Sequence, residues 1–304
     1  ALHQLLRALT QITLTYPGFI GAEEEDAALL AARFADPELE LRTVLLDPAE
    51  AGSLVSGLQA LIRSAFAVRD LWSSDSWRVL DGIEATVTVM SHDAATRPFP
   101  LLLDDLNRLI TQLMAFAGLN AESTTRGLSW IMLDSGRRME RAQSLIAFVR
   151  AMLVQVDEPA IEALNLENVL ITTENVITYR RRYRSYLHIQ TVLEQLLLDA
   201  TNPRGLIYQL DHLQDHLRQL PRPYLGFRMS DEERLVLDAA TRLRLSELQE
   251  VCRTDVDHQL RPGLDEMLAG VSGRLNDTSI TLNNYYFTHA QAPQSLLGLG
   301  PVEA

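Results

Sequence analysis

RGLSWIMLDSGRRMERAQSLIAFVRAML, residues 126–153, sets Leu128, Ile131, Ser135, Met139, Ala142, Ile146, Val149 and Leu153 at steps of three and four. That period lines them up on one face of a long helix and predicts a buried stripe. A polar stripe runs beside it. Asp134 precedes Arg137 by three and Arg138 by four, while Glu140 follows Arg137 by three and precedes Ser144 by four, so contacts within the helix absorb part of the charge. The run TYRRRYRSYL, residues 178–187, adds Arg180, Arg181, Arg182 and Arg184 on a second helix. In an acidic chain, so many guanidinium groups on two helices repel one another unless carboxylates or a bound anion neutralise them.

Outward from these helices, apolar residues recur at helical spacing almost everywhere, which predicts an all-α fold, a multi-helix bundle of about ten helices. The expected spans are 2–15, 24–35, 48–72, 75–91, 101–118, 122–155, 159–174, 177–198, 203–218 and 231–269, the last broken near Thr254. Only LRTVLL (41–46) and ITLNNYYF (280–287) look strand-like. Asp47-Pro48 with Glu50, Ser74 before Asp75, Asn202-Pro203 and the Ser230 to Glu233 capping box mark helix starts. Breaks are expected at Tyr16-Pro17-Gly18, Arg97 to Pro100, Pro221 to Gly226 and Gly270 to Gly273. None is long enough to force separate domains. Residues 1–304 are therefore expected to form a single helical domain, with 1–100 as a sub-bundle, 101–290 as the main bundle and 291–304 as a flexible tail.

The formal net charge of -13 argues against nucleic acid or an anionic membrane as partner. No spanning apolar run and no leader is apparent, so the expected location is cytoplasmic. The opening residue is Ala1 rather than Met, which suits a trimmed or excised piece. All 27 basic residues are arginine. This excludes lysine chemistry and leaves planar forks suited to carboxylate or phosphate; codon bias is the plainer cause of the same composition. The single cysteine, Cys252, excludes an internal disulfide and reads as inert packing.

Five blocks carry a likeness that extends over most of the chain. They are GRRMERA with Glu140-Arg141; ENVITYRRRYRS; LLLDATNPRGLIYQL with Asp199, Asn202, Pro203 and Arg204; LNDTSITLNNYYFTH with Tyr286, Phe287 and His289; and VRDLWSSDSWRVL with Arg69, Asp70, Ser74 and Trp77. The first four, in this order, resemble later blocks of the alpha-E family, all-helical bacterial domains named for a Glu-Arg motif and of undefined role, and the fifth resembles an earlier block. Two departures stand out. Family members usually begin with a first copy of the Gly-Arg…Glu-Arg motif, absent here, and Ile62-Arg63-Ser64 replaces a polar run before Val68. The resemblance implies a partner: a circularly permuted ATP-grasp-like protein, fused or encoded nearby, in an amide-ligase system often accompanied by transglutaminase-like peptidases.

The sharpest candidate site is a cleft for an acidic peptide or a phosphate. Arg138, Arg141, Arg181 and Arg184 would converge from two helices, with Glu140 and Tyr183 orienting the guanidinium groups and Arg137, Asn202 and Arg204 alongside. The competing reading of the same residues is a buried ion-pair network in which Glu140 and Glu174 satisfy the arginines and set helix register. Glu140 and His289 are the candidate proton carriers if the chain is catalytic. His212 and His216, four apart, share a helix face but lack an evident third ligand, so an exposed polar face is the ordinary explanation. No Gly-rich phosphate loop, Ser/His/Asp signature or paired-cysteine motif calls for a cofactor.

Overall fold

The apolar periodicity resolves into fourteen α-helices in a computed structural model that describes residues 1–22, 27–92, 94–184, 186–221 and 228–287. They are α1 (Leu2–Thr13), α2 (Ala27–Ala35), α3 (Glu38–Leu46), α4 (Leu54–Ala67), α5 (Ser74–His92), α6 (Phe99–Ser123), α7 (Leu128–Leu153), α8 (Pro159–Thr172), α9 (Val176–Tyr183), α10 (Ile189–Leu193), α11 (Leu206–Leu217), α12 (Asp231–Leu245), α13 (Leu248–Val251) and α14 (Pro262–Leu282). Wider π turns follow α10 at Glu194–Leu198 and α14 at Asn283–Phe287. Among the described residues the β-type pairing is one isolated bridge between Gln155 and Leu260, and no helix is long and apolar enough to cross a membrane.

The main core gathers around α7. Ile131, Ala142, Ile146, Val149 and Leu153 are buried as the spacing requires, whereas Leu128 is exposed at the first turn. Helices α1, α11 and α14 pack on α7, and α12 closes the bundle against α11 and α14. Gln4 on α1 donates to the Ala151 carbonyl, and Ile12 reaches the level of Glu140 to Phe148, so α1 runs antiparallel to α7. Helices α3 to α6 pair mainly with one another and build their own cores, one around Val55, Ile83, Val87 and Leu109 and a smaller one around Leu80 and Phe116. The change of packing partner thus falls between α6 and α7, near residue 123, and α1 lies with the later helices. Gly52 lets the 47–53 turn press against the end of α1: a Cβ there would stand 1.9 Å from the Thr13 carbonyl oxygen.

Several local expectations change. The helix expected from residue 48 starts at Leu54, because Ser53 caps it by accepting from the Ser56 amide while Asp47 instead holds the preceding turn through the Ala49 amide. LRTVLL is helical within α3, and ITLNNYYF spans the end of α14 and its π turn. Helix α14 passes through Gly270 and Gly273 without breaking. Its stripe of Leu264, Leu268, Val271 and Leu275 is fully buried, and that burial outweighs the roughly 1 kcal/mol each glycine costs a helix. The helix expected over 231–269 does break around Thr254, between α13 and α14, but it is also interrupted earlier, after Leu245. The Ser230 amide is accepted by Glu233 at 2.8 Å, the reciprocal arm of the capping box.

Candidate functional site

On α7 the polar stripe divides into a buried half and an open half. Asp134 is 3% exposed and is the centre of the buried half. It accepts from Arg138 Nε at 2.9 Å and from His216 Nε2 on α11 at 2.8 Å, and Arg137 stands 3.7 Å away. Burial alone would raise the Asp134 carboxyl, but the His216 hydrogen bond and the charges of Arg138 and Arg137 hold it well below the usual carboxylate range. Arg138 also donates to Gln209 Oε1 at 3.1 Å and lies over the Tyr208 ring at 5.4 Å. The Trp130 ring meets His216 edge-on at 5.0 Å. The Arg138 fork is therefore spent on the protein itself.

The open half faces a hollow of about 260 Å³ lined by Ile12, Glu140, Arg141, Ser144, Leu145, Phe148, Thr172, Thr173, Arg204 and Gln209. Leu145 and Phe148 are buried and form an apolar floor. Arg141 is exposed, and among the described residues it makes no hydrogen bond and no ion pair. Its guanidinium is nevertheless held below the ordinary arginine range, first by partial desolvation against the hollow and then by the like charges of Arg137, Arg138 and Arg204, with Asp134 opposing. It remains a cation at neutral pH, in a locally positive field that favours an anion. Arg204 donates to Glu174, beside the hollow, at 2.8 Å. Glu140 is exposed and accepts from Ser144 Oγ at 3.2 Å.

The remaining candidates lie in other hollows. Arg181 lines one of about 470 Å³ with Thr178, Arg182 and Asp199, Arg184 lines another of about 260 Å³ with Glu167 and Arg180, and neither shares the hollow of Arg141. The four arginines expected to converge are thus distributed over separate places, because Arg181 on α9 and Arg184 at its end are exposed, Tyr179 alone of the α9 residues being buried. Arg180 and Arg182 pair locally with Glu167 and Asp199. Tyr183 donates to Glu194 at 3.2 Å and does not orient Arg141. Of the two carboxylates expected to neutralise arginines, Glu174 does so for Arg204; the role expected of Glu140 falls to Asp134.

Asn202 is a buried joist of the site. Its Nδ2 donates to Asn175 Oδ1 at 2.9 Å and to the Gln195 carbonyl at 3.0 Å, while its Oδ1 accepts the Arg204 amide at 3.0 Å. Gln195 Nε2 completes the set by donating to Asn175 Oδ1 and to the Asn175 carbonyl. Asn202→Ala is expected to lower stability by about 1–3 kcal/mol by leaving these partners short of a bond, a change read from the urea midpoint.

His212 and His216 share a helix but bond to different partners. His212 Nδ1 pairs with the Tyr208 carbonyl, and His216 pairs with Asp134. Among the described residues no three His, Cys, Asp or Glu side chains come together to hold a metal. The half-buried Cys252 thiol is pushed up to about 11, first by burial and then by the Glu162 charge, with Arg261 opposing. It stays protonated at neutral pH. His289 lies outside the described residues.

Residues 1–287 match a family described as a predicted alpha-helical domain with a conserved ER motif. Two Glu-Arg pairs occur in the chain. Glu233-Arg234 starts α12, where Glu233 caps; Glu140-Arg141 lines the hollow on α7. Uncharacterized proteins of Mycobacterium bovis and of two Mycobacterium tuberculosis strains are each 34% identical over 244 residues, covering 80% of this chain and 27% of the relative. The chain therefore spans about a quarter of the length of these relatives. No solved structure matches it.

Proposed function

The chain belongs to the Alpha-E family, and from that premise we propose that it is a binding domain that holds an anionic peptide or intermediate in the Arg141 hollow for an ATP-grasp-like amide ligase. One observation carries this reading. Arg141, of the Glu140-Arg141 pair, is a cation with no protein partner among the described residues, at the mouth of a hollow with an apolar floor. A guanidinium fork used structurally finds a carboxylate in its own chain, as Arg138 does; one left open beside further positive charge suits an incoming carboxylate or phosphate. Arg204, paired with Glu174, adds further positive charge beside the hollow, and Asn202 fixes the backbone from which it extends.

The relatives supply the support for an accessory role. The matched region is a minor part of each, so the helical domain there belongs to a larger polypeptide, as a domain fused to a catalytic unit would. The ligase remains the partner that the family resemblance suggests, and the cytoplasm is the compartment in which ATP-driven amide formation would place both.

Calorimetric titration with short acidic peptides and with inorganic phosphate tests the binding. At least one should bind at low salt, and Arg141→Gln should weaken it about tenfold or more through loss of a charge-assisted bidentate contact. Fold stability should change by no more than about 0.5 kcal/mol, since the side chain is exposed and unpaired. Absence of heat from every anion, or heat indifferent to Arg141→Gln, would remove the proposal. For the partnership, adding the domain to an ATP-grasp-like protein encoded with it should raise amide formation. Arg141→Gln should abolish that rise.

A further inference from the structure

We infer that the hollow takes the C-terminal residue of a peptide with an apolar last side chain, a reading that rests on the anion site proposed above and narrows its ligand. The walls argue for three separate contacts. Ile12, Leu145 and Phe148 offer apolar surface that a phosphate or an acidic side chain cannot cover. Arg141 offers one open fork, the geometry of a single carboxylate bound bidentately. Glu140 offers an acceptor on the same rim.

Adjacent helical positions are rotated by about 100° from each other, so Glu140 and Arg141 diverge around α7 and flank the hollow without neutralising one another. No ion pair joins them among the described residues. Counting charges around the mouth, Arg141 and Arg204 are offset by Glu140 and by Glu174, which pairs with Arg204. The carboxylates of Glu140 and Glu174 temper the positive field at Arg141, which suits a monoanion that brings its own donor. They penalise a phosphate dianion placed beside Glu140. A C-terminal residue meets each condition: its carboxylate on Arg141, its backbone N–H toward Glu140 and its apolar side chain on Leu145 and Phe148. Gln209 keeps the back wall fixed, because its Oε1 is held by Arg138 and its Nε2 donates to the Pro203 carbonyl at 2.6 Å.

Titrations of the whole chain with N-acetyl-leucine, N-acetyl-leucinamide, N-acetylglycine, free leucine and inorganic phosphate test this. N-acetyl-leucine should bind at least about tenfold more tightly than the amide, which lacks the carboxylate, and than phosphate. N-acetylglycine, lacking the side chain, should fall behind by about tenfold. Arg141→Gln should remove the advantage of acid over amide, and Glu140→Gln should weaken N-acetyl-leucine severalfold; circular dichroism of both exposed-site variants should be unchanged. Phosphate or N-acetylglycine binding as tightly as N-acetyl-leucine, with sensitivity to Arg141→Gln, would overturn this inference and leave the anion site standing. Tighter binding of free leucine would also overturn it, in favour of a free amino acid. If none of the anions binds, both readings fall together.

Discussion

Asp134→Ala is expected to destabilise the protein by about 3–5 kcal/mol, the cost of breaking a buried charged pair on one side only. Asp134 joins α7 to α11 by accepting from Arg138 and from His216, all three largely or fully buried. Removing the carboxylate leaves the Arg138 guanidinium with Gln209 alone and His216 with no hydrogen-bond partner among the described residues. The midpoint of thermal unfolding should fall by roughly 6–15 °C. Arg137→Ala should cost under about 1 kcal/mol, because Arg137 is partly exposed and meets Asp134 only at 3.7 Å. A loss below 1 kcal/mol for Asp134→Ala itself would mean that the network does not set the α7–α11 register.

The same carboxylate predicts a pH signature. Its folded-state pKa lies below its unfolded value, so the stabilisation is complete above about pH 4–5 and declines as pH falls through the unfolded value near 3.9 and on toward the folded one. The gap between the urea midpoints of the wild type and Asp134→Ala should therefore be narrower at pH 3 than at pH 6. A constant gap would show that Asp134 titrates alike in both states.

Arg261→Leu is the second large effect, also about 3–5 kcal/mol. Arg261 is 5% exposed at the start of α14. Its Nη1 donates to the Leu153 carbonyl at 2.7 Å and its backbone amide to the Val154 carbonyl at 2.8 Å, so it satisfies the open end of α7, where positive charge is also favoured. The same guanidinium pairs with Glu162 on α8. Leucine matches much of the apolar bulk, yet it strands the Glu162 carboxylate and one α7 carbonyl. Arg261→Lys keeps the charge but not the fork, and should lie between. If Glu162→Gln in the Arg261→Leu background restores part of the lost stability, the stranded charge is the cause. No recovery would assign the loss to the carbonyl.

The helical class was legible because burial here follows local period: the α7 stripe, the Ser230 to Glu233 box and the intrahelical Asp134 to Arg138 pair all depend on residues within four positions of one another. What local spacing misjudged was competition. Gly270 and Gly273 look like breakers until Val271 and Leu275 are seen buried on α12, and LRTVLL looks extended until α3 packs on α4. The site was half legible. Glu140 and Arg141 stand at a hollow, but the separation of Arg181 and Arg184 from it goes with the packing of α9 on α8, a tertiary placement that no spacing encodes. His216 was visible only as a neighbour of His212. Its bond to Asp134 spans 82 positions and has no local signature.

Ile12 precedes every other residue lining the Arg141 hollow by roughly 130 positions or more, a separation with a consequence for folding. Helices α7 to α14 are contiguous in sequence and can condense together, whereas seating α1 on α7 closes a loop of roughly 130 residues at additional entropic cost. The wall is thus expected to close after the core of α7 to α14 has formed. An occupant touching Ile12 and α1 docking must then reinforce each other to the same degree, so amide protons of α1 should exchange more slowly when the hollow is filled.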